Sequence, residues 1–263
     1  MKNDLSFLID HLLSERSDLG RIRIPDSEED RFTLYRSLVN IRPPAPVSRE
    51  YLEAEDSFLK SLTESKGITD INDLTPVEGS IYLWQGDITT LRCGAIVNAA
   101  NSGMTGCYQP CHSCIDNCIH TFAGVRLRYE CGKIMEAQGH EEPTGRAKIT
   151  PAYDLPCEYV IHTVGPIVEG ALTEKHRELL ESCYRSCLDI AAENGVESIA
   201  FCCISTGVFG YPQREAAKTA VRTVREYLKT HEMKVIFNVF KQEDLDIYKD
   251  KLEKNSGAES RAR

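Results

Sequence analysis

From residue 77 onward the chain alternates short apolar runs with stretches whose apolar residues fall three and four apart, and this restricts the fold more than any other feature. The runs cover 80–85, 95–98, 147–153, 159–164, 198–205 and 234–240, and most are rich in β-branched or aromatic residues, the habit of a buried strand. Between them lie helical stripes. Cys118, Phe122, Val125 and Tyr129 form one, and Leu180, Cys183, Cys187 and Ile190 form another that stops at Asn194 and Gly195. Ala217, Val221, Val224 and Leu228 follow Pro212, which suits a helix start, and a last helix is expected over 243–252. Strands alternating with helices require a sheet covered on both faces. The expected fold is an α/β three-layer α/β/α sandwich with a mainly parallel or mixed sheet. In such sheets ligands sit beyond the strand C-terminal ends.

The first 76 residues read differently, as a helical extension. Leu5, Leu8, Ile9, Leu12 and Leu13 keep helical spacing, as do Phe32, Tyr35, Leu38 and Val39. Three prolines in I-R-P-P-A-P-V-S at 41–48 exclude helix there. Ser48 is placed to cap a third helix with Leu52, Leu59 and Leu62 on its apolar face and Glu55 off-pattern among them. The segment 66–76 reads as a connection. The domain boundaries are thus 1–76 for the extension and 77–253 for the α/β unit. A polar tail follows at 254–263 and is expected to fray.

Charge excludes one class of partner. With 31 Lys and Arg against 40 Asp and Glu, the net charge of −9 opposes any nucleic-acid binder held by phosphate neutralisation. A small diphosphate is still accessible, because helix N-termini and backbone amides hold anions without basic side chains. No apolar run approaches the roughly 20 residues of a membrane span, and Asp10 and His11 interrupt the N-terminal apolar stretch, unlike a secretory signal. Eleven cysteines, an odd number, point to a reduced cytoplasm and to metal before disulfide.

Four strand-end loops have compositions suited to ligand binding. In Q-G-D-I-T at 85–89, Asp87 can accept from an exocyclic amine or simply cap a turn. In N-A-A-N-S-G, Asn98 and Asn101 can each donate and accept toward a polyhydroxylated ligand, or tie their own loop together. In S-T-G-V-F-G-Y-P at 205–212, two glycines permit close backbone approach to a phosphate just before a helix start. Neither a Walker motif nor a dinucleotide fingerprint is present there. Phe240, at the end of the last strand, can stack on a base or pack in the core.

Cys107, Cys111, His112, Cys114 and Cys118 fall within twelve residues. Zinc takes Cys sulfur and His nitrogen, four protein donors when structural and three when catalytic. Cys107, His112 and Cys114 have turn-like spacing, Cys111 is a possible fourth donor, and Cys118 falls on the helical stripe. Asp116 is read as a helix cap. Cys183, Cys187, Cys202 and Cys203 are read as core, and His120 and His162 as hydrogen-bonded structural residues.

Together, Q-G-D-I-T, A-I-V-N-A-A-N, A-Y-D-L, Y-V-I-H-T-V-G-P and S-T-G-V-F-G-Y-P occur in the order and spacing of macrodomains. Residues 78–253 resemble that ADP-ribose-binding family. G-C-Y-Q-P-C-H-S-C-I-D-N, with N-I-R-P-P-A-P-V-S-R-E-Y-L upstream, resembles its zinc-dependent branch of microbial protein-ADP-ribose hydrolases. The resemblance implies that Asp87 and the Ile88 backbone meet the adenine and that Phe240 flanks it. It implies that Asn101, with Asn98 beside it, holds the distal ribose, and that Ser205, Thr206, Gly207, Val208 and Phe209 cradle the diphosphate. It also implies one Zn2+ on Cys107, His112 and Cys114. The expected activity is hydrolytic removal of mono-ADP-ribose from protein side chains at the distal anomeric carbon, with Asn101 and the three metal ligands catalytic. The alternatives are a non-catalytic reader with a structural zinc and a hydrolase of small O-acyl-ADP-ribose. A lipoate-carrying protein modified by a sirtuin-type transferase is the partner the resemblance implies.

Overall fold

The computed structural model describes residues 2–16, 18 and 22–259, with side chains described for 5–16, 18 and 22–253. Three helices open the chain, α1 (Lys2–Ser14), α2 (Glu28–Ile41) and α3 (Arg49–Lys66). Ser27 and Ser48 cap α2 and α3 by accepting from Asp30 N and Tyr51 N, as the sequence predicts for Ser48. Glu55, off-pattern in sequence, is fully buried on the apolar face of α3. It accepts from Tyr35 Oη at 2.7 Å, Tyr51 Oη at 3.1 Å and Val125 N at 2.9 Å.

The connection that follows holds β1 (Thr69–Asp70), which pairs in parallel with β3 (Leu91–Arg92). The main sheet comprises β2 (Ile81–Gln85), β4 (Ala95–Ala100), β5 (Ala147–Pro151), β6 (Tyr159–Val164), β7 (Ser198–Phe201) and β8 (Lys234–Val239). Its order is β2-β8-β7-β4-β6-β5, all parallel except β5, which runs antiparallel to β6. The mixed three-layer sandwich is therefore present. Helices α6 (Glu174–Glu193), α7 (Gln213–Leu228) and α8 (Gln242–Glu259) pack side by side as one layer, and α4 (Ile115–Phe122) and α5 (Val125–Gln138) contact β4 and β5. The N-terminal helices bury their own cluster around Leu8, Ile9, Tyr35, Tyr51 and Leu59, which shares Phe32 and Leu62 with the sheet core. Among the described residues no helix is long and apolar enough to cross a membrane.

Apart from shifts of one or two residues at element ends, as where the strand expected over 147–153 stops at Pro151, three sequence expectations need correction. The stripe of Cys118, Phe122, Val125 and Tyr129 spans two helices, not one. Gly124 at φ +79° breaks it, and a Cβ there would lie 2.7 Å from Glu55 Oε2 and 2.9 Å from Asp154 Oδ2. The strand expected over 198–205 ends at Phe201. β4 pairs with β7 only at Ala95 and Ile96, while its pairing with β6 continues to Ala100. The two strands splay beyond that point, and 202–205 leave the sheet. The last helix continues to Glu259, past the expected stop at Leu252; side chains beyond Glu253 and residues 260–263 lie outside the described residues.

Candidate functional site

The splay between β4 and β7 coincides with the point where the chain reverses its direction of travel across the sheet. From β4 the connections lead toward β6 and β5, and from β7 toward β8. Such switch points open a crevice at the strand C-terminal ends. β2, β8, β7 and β4 are parallel neighbours, so the loops after all four emerge at one edge.

The β7–α7 loop forms an amide-lined turn. Ser205 sits at φ +65° and is buried, its Oγ without a hydrogen-bond partner. Gly165 presses on it so closely that a Cβ would lie 2.0 Å from Ser205 Oγ. Tyr211 N donates to Ser205 O, Gly210 N to Gly207 O and Val168 N to Phe209 O, which pins the loop's shape. The amides of Gly207, Val208 and Phe209 have no backbone acceptor among the described residues. Val208 is 80 % exposed. Three unpaired amides before a helix start suit an anion.

At the end of β2, Asp87 caps a 3-10 turn over Ile88–Thr90, accepting from Thr89 N at 3.0 Å and Thr89 Oγ1 at 2.7 Å. Its other oxygen accepts from Lys66 Nζ at 3.2 Å, a lysine that also lies 3.4 Å from the Phe122 ring centroid. Burial alone would raise the Asp87 carboxyl, yet the Thr89 donors and the Lys66 charge hold it below its ordinary range. Ile88 opens the turn, so its amide has no partner within it. Phe240, which the sequence allowed as core, is 74 % exposed. A ring this bare at a strand end is available for stacking.

The β4–α4 loop carries the thiol–imidazole set. Ligand atoms of Cys107, His112 and Cys114 all lie within 4.8 Å of one another, and Cys107 Sγ is 3.7 Å from His112 Nδ1. Bonds of about 2.3 Å to sulfur and about 2.05 Å to nitrogen give a tetrahedral S···N edge of about 3.6 Å, so this set fits zinc. Burial and the adjacent Cys107 thiol raise the Cys114 thiol, so its thiolate form needs a cation beside it. Cys111 is not a fourth donor here: its Sγ contacts Ser37 Oγ at 3.2 Å and Thr33 O at 3.5 Å on α2. Cys118 packs against the sheet core as expected.

Two asparagines sit at the base of that loop. Asn101 is half-buried; its Nδ2 donates to Gly106 O at 3.1 Å and to Asp116 Oδ2 at 3.3 Å, and its Oδ1 accepts from Gly103 N at 3.0 Å. Gly106, at φ +84°, lies so near His120 and Arg128 that a Cβ would meet the imidazole at 2.8 Å. Asn98 is fully buried, and its Nδ2 is shared between Asp116 Oδ1 at 2.8 Å and His162 Nδ1 at 3.2 Å. The structure therefore places Asn98 beneath the cleft, where it supports Asp116.

Asp116 is the residue that sequence reasoning misassigned. Cys114, not Asp116, caps α4 by accepting from Asn117 N. The Asp116 carboxylate is buried against both asparagines, and burial raises it to about 6 although Asn98 and Arg128 oppose the shift. Its position two residues after Cys114 and before an apolar stripe gave no sign of this. His162 is hydrogen-bonded as expected, with Thr150 Oγ1 at 3.0 Å from its Nε2. His120 differs from expectation, since both its ring nitrogens lack a hydrogen-bond partner.

The amide-lined loop, the Asp87 carboxylate, the exposed Phe240 ring and Asn101 thus all follow strand ends at one edge of an α/β/α sandwich, the edge where sheets of this kind bind ligands. The chain belongs to the macro domain family, whose model matches residues 97–220. It is 56% identical over 248 residues to the protein-ADP-ribose hydrolase of Treponema medium, a match spanning 92% of this chain and 95% of that protein. It is 51% identical to the protein-ADP-ribose hydrolase of Staphylococcus aureus strain MRSA252, over 95% of both chains. Among solved structures, the Trypanosoma brucei macrodomain in complex with ADP-ribose is 30% identical, with TM-score 0.63, over 86% of this chain and 96% of that one. The Oceanobacillus iheyensis macrodomain with ADP is 37% identical, with TM-score 0.62, over 67% of this chain and 91% of that one.

Proposed function

We propose that this protein is a zinc-dependent protein-ADP-ribose hydrolase that binds ADP-ribose and removes mono-ADP-ribose from a modified protein side chain. The observation that carries the reading is the convergence of Cys107, His112 and Cys114 on a loop that Asn101 and Asp116 tie to the end of β4. Three protein donors are the complement of a catalytic zinc, and the turning of Cys111 onto α2 supports a hydrolase over a reader with a closed four-donor shell. Relatives about half identical over nearly the whole chain carry the name protein-ADP-ribose hydrolase, which supports the same activity.

The roles divide along the cleft. Asp87 accepts from the adenine amine beside the Ile88 amide, and Phe240 lies against the base. The loop from Ser205 to Phe209 surrounds the diphosphate, with the free amides of Gly207, Val208 and Phe209 donating to its oxygens, and Phe209 borders the distal ribose. Asn101 meets that ribose, and Asp116 behind it fixes the direction of its amide. Cys107, His112 and Cys114 would hold the zinc, which would supply a Lewis acid when bound. In the reaction the oxygen of water bonds to the anomeric carbon, and the bond from that carbon to the acceptor heteroatom breaks. The acceptor leaves with a proton from the water, so the products are ADP-ribose and the restored side chain.

Eleven unpaired thiols support a cytoplasmic location. The family resemblance supports a lipoate-carrying protein, modified by a sirtuin-type transferase, as the target. Replacing Cys107, His112 or Cys114 by Ala should abolish turnover while calorimetric binding of ADP-ribose survives. Turnover at the wild-type rate in any of these variants overturns the zinc reading.

A further inference from the structure

We propose that the N-terminal helical extension is a working part of the active site: α2, through Arg36 and Asn40, holds the metal loop in the shape that brings Cys107, His112 and Cys114 together. The inference rests on the zinc reading above.

Between Ala100 and Ile115 the chain has no helix or strand. A segment without its own ladder needs outside partners for its backbone polar groups, and here α2 supplies them. Arg36 Nη2 donates to His112 O at 2.8 Å and to Asn117 Oδ1 at 2.8 Å, and its Nε donates to the same Asn117 oxygen at 3.2 Å. Asn117, so oriented, directs its Nδ2 at Gln109 O, 2.9 Å away, and Cys107 O, 3.5 Å away. One guanidinium therefore fixes the backbone of His112 directly and that of Cys107 through one intermediary.

Asn40 holds the other side of the loop. Cys111 has φ +53°, a left-handed conformation that costs energy for a residue with a Cβ and persists only where its surroundings enforce it. Asn40 Oδ1 accepts from Cys111 N at 2.9 Å, and its Nδ2 donates to Thr121 Oγ1 at 3.0 Å on α4. Cys111 Sγ rests on Ser37 and Thr33, so this cysteine is the loop's anchor on α2. Arg128 closes the arrangement, its Nη1 donating to Val39 O and Arg42 O at the end of α2 and its Nη2 to Cys107 O. Arg36 and Asn40 touch no reacting atom. They are positioning residues, and groups in such positions typically govern metal affinity by ~10–100-fold.

The test uses the full chain loaded with zinc, with Arg49→Ala as control, since Arg49 is 91% exposed and its partner among the described residues is Glu53 on the same helix. The melting midpoint of each metal-free variant is read first. Zinc release to a competing chelator and the visible spectrum of the cobalt(II)-substituted protein follow. Arg36→Ala and Asn40→Ala should release zinc ~10–100-fold faster and change the cobalt spectrum. Affinity for ADP-ribose should stay within about twofold, because the adenine end shares no partner with them. Arg36→Lys, which keeps the charge and stem but not the fork, should fall between. Should Arg36→Ala lose its fold, the Lys and Asn40 variants decide the matter. Wild-type release rates and an unaltered cobalt spectrum in these variants overturn the proposal while zinc chemistry stands. A wild-type protein that takes up no zinc overturns both.

Discussion

Removing the Glu55 carboxylate tests the junction that seats the extension on the sheet. Glu55 is fully buried and accepts from Tyr35 Oη, Tyr51 Oη and Val125 N. Glu55→Ala leaves three buried donors unsatisfied, each worth about 1–3 kcal/mol, so a loss of about 3–6 kcal/mol is expected once partial relaxation is allowed. Glu55→Gln keeps the shape and lets its oxygen serve both tyrosines, but its NH2 faces the Val125 amide, so the Val125 N–H and the new NH2 both lack an acceptor, at about 1–3 kcal/mol for each before relaxation, fewer orphaned donors than in the Ala variant. At about 2–4 °C per kcal/mol for a chain of this size, the Ala variant should melt roughly 10 °C below wild type and the Gln variant a few degrees below. Calorimetry on the two variants measures both. An Ala variant no less stable than the Gln variant would show that the carboxylate does not satisfy the tyrosines, and the reasoning would fail.

Other outcomes follow from the same geometry. Burial, with Asp56 adding and Arg126 opposing, raises the Asp154 carboxyl to about 7. The folded state thus keeps a proton that an unfolded carboxyl gives up near ~3.9. That stability is complete below about pH 4 and is lost as pH rises through about 7. The melting temperature should therefore fall across that window, and Asp154→Asn should flatten the slope; an unchanged profile in the variant contradicts the assignment. Asp87→Ala should weaken ADP-ribose ~10-fold or more, as loss of a hydrogen bond to a charged group does, and should erase preference for adenine over hypoxanthine; calorimetry with both nucleotides reads it. Gly124→Ala forces a methyl group to within 3 Å of both the Glu55 and Asp154 carboxylates. Soluble yield and melting temperature should drop, and a neutral effect would contradict the packing described.

The local parts of the fold were legible in the sequence. Ser48, Pro212 and the strand runs act within a few residues, and the caps, helix starts and sheet follow from them. Cys107, His112 and Cys114, which the fold brings within reach of one ion, were legible for the same reason, since eight positions contain them all. The supports of the site were not. Arg36 reaches partners 76 and 81 positions away, and nothing in a stretch of α2 announces a metal loop from a later part of the chain. Glu55 looked like an error in an apolar face because its partners are two tyrosines and the amide of Val125, 70 positions on. The break at Gly124 is dictated by those same carboxylates, so a stripe with good helical spacing was read through it. Asp116 was misread because a cap and a buried acid have the same letter, and only the fold brings Asn98 and Asn101 to it.

The central claim is that metal held by Cys107, His112 and Cys114 drives the hydrolysis, and zinc stoichiometry measured alongside turnover tests it most directly. Purified protein should carry one zinc per chain. Chelation should abolish release of ADP-ribose from a mono-ADP-ribosylated protein while leaving ADP-ribose binding intact, and added zinc should restore turnover. Full turnover by protein shown to be free of metal would contradict the account.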